Sequence, residues 1–64
     1  MKLSERMVQY RARERISQAE LAQRCGLSLQ TINSVENETQ VPSRITIVKI
    51  ELVIGQEQID KEGI

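Results

Sequence analysis

The side chains best suited to do chemistry in this 64-residue chain are uncharged. Gln30, Asn33, Ser34 and Asn37 recur through one short stretch, with Leu29 among them and Gln18 and Ser28 shortly before. An amide donates and accepts at once, so Gln or Asn can pair with an edge that offers an acceptor beside a donor, as adenine does. Gln can also donate to guanine acceptors, and Leu29 suits either contact with a thymine methyl or a place in the core, rotated inward. Covalent chemistry has far less to work with. The chain has no His, one Cys, no Gly-rich phosphate loop and no metal-ligand spacing. Glu57 and Asp60 form a carboxylate pair, but in a short polar tail with no pocket implied around them. The expectation is a chain that is no enzyme and takes no metal, cofactor or small-molecule ligand, with Cys25 a small buried hydrophobe.

The elements that must hold the amide row are written in local signals. Ser17 followed by Glu20 is a capping box, and Ile16 with Leu21 makes its hydrophobic staple. Gly26 can take the left-handed conformation that ends a helix, so a helix is predicted over 17–25. Ser28 is the next N-cap, with Leu27 and Ile32 as a second staple, and a helix follows over 28–37. Two helices joined this tightly must meet at a sharp angle, which is a helix-turn-helix. In the second helix Ile32 and Val35 point inward, leaving Leu29, Gln30, Asn33, Ser34 and Asn37 facing out.

The remaining segments supply the core. A first helix over 3–14 sets Leu3, Met7 and Tyr10 on one face, with Ser4 as its expected N-cap. Arg11 falls near that apolar stripe, where a charge requires a partner. Arg13 and Arg15 lie on the other side and just before the second helix, within reach of a nucleic-acid backbone. The run Ile45 to Ile50 would pass for a strand on propensity. Ile47, Ile50 and Ile54 nevertheless share a helical face, and Ser43 and Gly55 punctuate the segment as a helix over 43–54. Ile45, Val48 and Leu52 form a second apolar stripe on it, expected to face a second subunit. Residues 56–64 read as a short helix or a frayed end.

Composition bounds the function. Sixty-four residues allow one small domain, 1–64, with an aliphatic core, since one Tyr is the sole aromatic residue. Few aromatics leave no stacking platform for single-stranded nucleic acid. A lone Cys excludes an internal disulfide and fits a reducing cytoplasm, and no apolar run spans a membrane. The formal charge is zero, yet residues 1–24 carry six cations against three carboxylates, +3, and residues 25–64 the reverse, −3. Such a chain can show phosphates a basic face while neutral overall.

Ser17-Gln18-Ala19-Glu20-Leu21-Ala22, then Gly26, then Val35-Glu36-Asn37, followed by Pro42-Ser43, closely resembles the lambda-repressor and Cro type (XRE family) of DNA-binding domains. The resemblance covers nearly the whole chain and implies a small all-α bundle of four to five helices. By that likeness Leu29, Gln30 and Ser34 match base-contacting positions, joined on the outward face by Asn33. Gln18 and Ser28 match positions that grip phosphate. Arg11, Arg13, Arg15, Asn37, Thr39, Gln40 and Arg44 complete the expected phosphate-contact set. Arg11 is also expected to pair with Glu36. One departure stands out: the family usually has Gly where this chain has Glu38. Either Asn37 takes the left-handed conformation or the turn is rearranged, and an acidic side chain there would oppose phosphate. The implied activity is sequence-specific binding of double-stranded DNA by a phage repressor or Cro-like homodimer, cytoplasmic and at the nucleoid when bound. The alternative is a protein-interaction module on the same fold, antitoxin-like or an anti-repressor partner, working through Ile45, Val48 and Leu52.

Overall fold

Four helices follow one another in the computed structural model, which describes residues 2–55: α1 Leu3–Glu14, α2 Gln18–Cys25, α3 Leu29–Asn37 and α4 Arg44–Ile54. The segment 56–64, expected as a short helix or frayed end, lies outside the described residues. No strand occurs among the described residues, so the β-branched run of α4 is helical. Packing outweighs propensity there, because Ile50 and Ile54 are buried in the common core and Val53 packs against it.

Ser17, Ser28 and Ser43 each sit in extended backbone just ahead of a helix. Their hydroxyls accept from the N–H three residues on, at 3.1, 3.1 and 3.2 Å. Only half of the expected capping box forms at Ser17. The Glu20 carboxylate runs along the helix toward Arg24 Nε, 3.6 Å away, instead of back to the cap. The start of α1 also differs from expectation. Lys2 is the N-cap, its own N–H donating to Glu5 Oε1 at 3.2 Å, while Ser4 lies inside the helix, buried. Ser4 is the second residue of α1, already in helical backbone, and its hydroxyl donates to a side chain outside the helix, as described below.

The core is the hydrophobic cluster of Met7, Tyr10, Leu21, Ala22, Cys25, Ile32, Val35, Ile50 and Ile54, aliphatic but for Tyr10 and Cys25. Leu3, Ile16 and Leu27 pack against it, the last two immediately before the caps of α2 and α3. Burial raises the Cys25 thiol above its ordinary range, so it stays protonated and packs as a hydrophobe. α3 packs on α1 and α2, and the main contacts of α4 are with those same two helices.

Candidate nucleic-acid interface

The rotation of α3 is set by Ile32 and Val35, both buried, and the rest of the surface follows from it. Leu29 is half exposed at 50% and Gln30, Asn33 and Asn37 are exposed, while Ser34 is half-buried. Gln30 has no hydrogen-bond partner among the described residues, so its amide is free to donate and accept together. Ser28, at the start of this row, uses its hydroxyl to cap Thr31 and lies 2.8 Å from Thr31 Oγ1.

Behind the row stands an ion pair that fixes α3 against α1. Arg11 Nε donates to Glu36 Oε2 at 2.8 Å and Nη2 to Oε1 at 2.9 Å, a bidentate geometry. Arg11 Nη1 reaches the Ile16 carbonyl at 3.4 Å. Burial opposes the charge on Glu36, but hydrogen bonds from Arg11 and Gln18 and the nearby guanidinium outweigh it. The carboxyl therefore titrates below its usual range. The same bonds, donated to Glu36, raise the Arg11 guanidinium above its ordinary value. With all three of its nitrogens engaged inside the chain, Arg11 serves the structural role, and the expected phosphate contact is not where its guanidinium points.

Gln18, the first residue of α2, extends this pair toward the surface. Its Nε2 donates to Glu36 Oε1 at 2.8 Å, and its Oε1 accepts from Asn33 Nδ2 at 3.3 Å. Asn33 Oδ1 in turn accepts from Asn37 Nδ2 at 3.0 Å. A chain of side chains thus runs from the buried pair across α2 and along α3. Only the last link joins two amides four residues apart on one helix; the others cross between helices.

The residues around this surface divide into engaged and open. Arg13 lies over the Tyr10 ring, 5.9 Å from its centroid. Arg15 ends α1 in the left-handed region at φ 58°, exposed beside the start of α2. Thr39, Gln40 and Arg44 are exposed along the loop and at the entry to α4. Arg15 and Arg44 form no ion pair among the described residues. Arg24, on α2, is held by Tyr10 and Glu14 at 3.0 and 3.2 Å, a cluster that no local pattern announces.

Glu38 corrects the expectation for the loop. Glu38 itself, and not Asn37, takes the left-handed conformation, at φ 57° and ψ 35°. The turn is not rearranged, because the Glu38 N–H closes on the Ser34 and Val35 carbonyls and the Thr39 N–H on Ser34. Its carboxylate is directed at the start of α1, where Oε2 accepts from the buried Ser4 hydroxyl at 2.7 Å and Oε1 lies 3.5 Å from Lys2 Nζ. The bond from Ser4 and the charge of Lys2 lower its pKa. The negative charge set against phosphate is thereby matched within the protein.

No group of three or more His, Cys, Asp or Glu side chains capable of holding a metal occurs among the described residues. No described helix is long and apolar enough to cross a membrane. A helix-turn-helix family model matches residues 8–60. No curated protein and no solved structure matched the chain.

Proposed function

The chain belongs to the lambda-repressor-like (XRE) helix-turn-helix family, and from that premise we propose that it is a sequence-specific regulator of transcription reading the major groove of duplex DNA with α3. The observation that carries this reading is the outward row on α3, with Gln30 unpartnered and Leu29 half exposed, beside the free N–H groups that open α2. Gln30 pairs with adenine or donates to guanine, Leu29 meets a thymine methyl, and Ser34 bonds either kind of base edge. Gln18 and Ser28 grip phosphate from the start of each helix, where the dipole also favours an anion. Arg13, Arg15, Asn37, Thr39, Gln40 and Arg44 flank them. Among the described residues eight cations face six carboxylates, and five of those carboxylates are in ion pairs. Arg15 and Arg44, which form no ion pair among the described residues, are open to phosphate.

A homodimer of the phage repressor or Cro kind completes the proposal. Ile45, Val48 and Leu52 are 69%, 48% and 57% exposed on α4, an apolar stripe that a second copy would cover. Two α3 helices would then enter successive major grooves about 34 Å apart. Selection of bound duplexes from a random pool tests this. The expected result is a palindromic consensus, bound with an affinity that falls steeply as salt rises. Gln30→Ala should lose about 1–3 kcal/mol at one base-pair position. Absence of duplex binding at low salt would overturn the reading and leave the α4 stripe as a surface for another protein.

A further inference from the structure

We propose that Asn33 does not read a base but acts as a positioning residue, which together with Glu36 sets the direction of the Gln18 amide. The inference rests on the DNA-binding reading only for its effect on affinity. The relay geometry itself does not depend on that reading. An ionised carboxylate accepts hydrogen bonds and cannot donate them, and the bidentate Arg11 holds Glu36 in that form. The group that Gln18 turns toward Glu36 must therefore be its NH2, 2.8 Å away. Its carbonyl oxygen is then left facing Asn33, which must present Nδ2, at 3.3 Å. Asn33 Oδ1 consequently faces Asn37, which supplies Nδ2 at 3.0 Å.

Each amide inherits its orientation from the one before, and the source is the ion pair. Turning any one of them over would set oxygen against oxygen or NH2 against NH2. Asn33 thus has both halves of its amide occupied by protein on opposite sides. The paired contact with adenine requires the same two groups turned together toward one base edge. Gln30, unpartnered among the described residues, is left as the amide that reads sequence. What Asn33 provides is a fixed Gln18, whose second Nε2 hydrogen remains free for a phosphate oxygen.

The test is a double-mutant cycle on the full chain, read out against a panel of single-base variants of the selected duplex. Asn33 is exposed and on a helix surface, so Asn33→Ala keeps the fold. Expected is a loss of about five- to tenfold, the size of one hydrogen bond, equal for every duplex in the panel. In a Gln18→Ala background the same substitution should change affinity less than twofold. A relaxed preference at one base pair, present in both backgrounds, would overturn the proposal. In the unbound chain, Asn33→Ala should shift the side-chain amide resonances of Gln18, and unmoved resonances would overturn the relay. If no duplex is bound, the regulatory reading falls, while the Gln18 resonances still decide the relay.

Discussion

Two carboxylates near the end of α3 tie that helix to α1, in opposite surroundings. Glu36, 5% exposed, receives paired bonds from Arg11 and a third from Gln18. Glu38, 51% exposed, receives a bond from Ser4 and faces Lys2 at 3.5 Å. The Glu36 charge is out of water, so protein donors must replace its hydration, and losing one leaves a buried charge uncompensated. Glu38 remains wet and its attraction to Lys2 is screened. What Glu38 does is local: it gives the buried Ser4 hydroxyl an acceptor and anchors a residue whose left-handed backbone costs an L-amino acid roughly 1–2 kcal/mol. Depth, more than the number of ion pairs, decides what each contact is worth.

The largest expected effect separates the two directly. Arg11→Ala should destabilise the chain by about 3 kcal/mol in urea denaturation, the low end for a broken buried pair because Arg11 is partly exposed. Glu38→Ala should cost much less, and its cost should shrink further in concentrated salt. Equal losses would break the distinction. Acidification sharpens it. Both carboxyls titrate below their usual range in the folded chain, so the unfolded chain takes up protons first. The stability they contribute is complete above the ordinary carboxylate range of roughly 4 and is lost as pH falls through the lowered values. Arg11→Ala should flatten this acid slope more than Glu38→Ala, and a wild-type chain that gained stability on acidification would contradict the assignment.

A smaller effect compares two left-handed helix ends. Gly26 closes α2 with the same pattern of backbone bonds that Glu38 uses to close α3, and open space surrounds it. Gly26→Ala should therefore cost about 1 kcal/mol for conformation alone. The same step should appear between Glu38→Gly and Glu38→Ala, with the glycine variant melting higher. Indistinguishable melting of those two would remove backbone strain from the account of Glu38.

The same contrast explains what was legible in the sequence. α2, α3 and α4 announce themselves through Ser17, Ser28 and Ser43, since an N-cap is a contact three residues long. Ser4 has the right chemistry for a cap, but α1 starts one residue before it with Lys2 as N-cap, and its hydroxyl donates instead to Glu38, 34 residues away. Glu38 was legible as an anomaly, but its solution depends on that same distant partner. The outward row of α3 follows from the spacing of Ile32 and Val35. The relay through Gln18 does not, because amides on two helices meet at an angle that no single-helix period contains.

The measurement closest to the central claim is a titration of the isotope-labelled chain with its selected duplex, followed residue by residue in amide resonances. The account predicts the strongest changes at Gln18 and from Ser28 through Asn37, with the side chain of Gln30 among the most shifted. Changes confined to Ile45 through Leu52, or none at low salt, would contradict it.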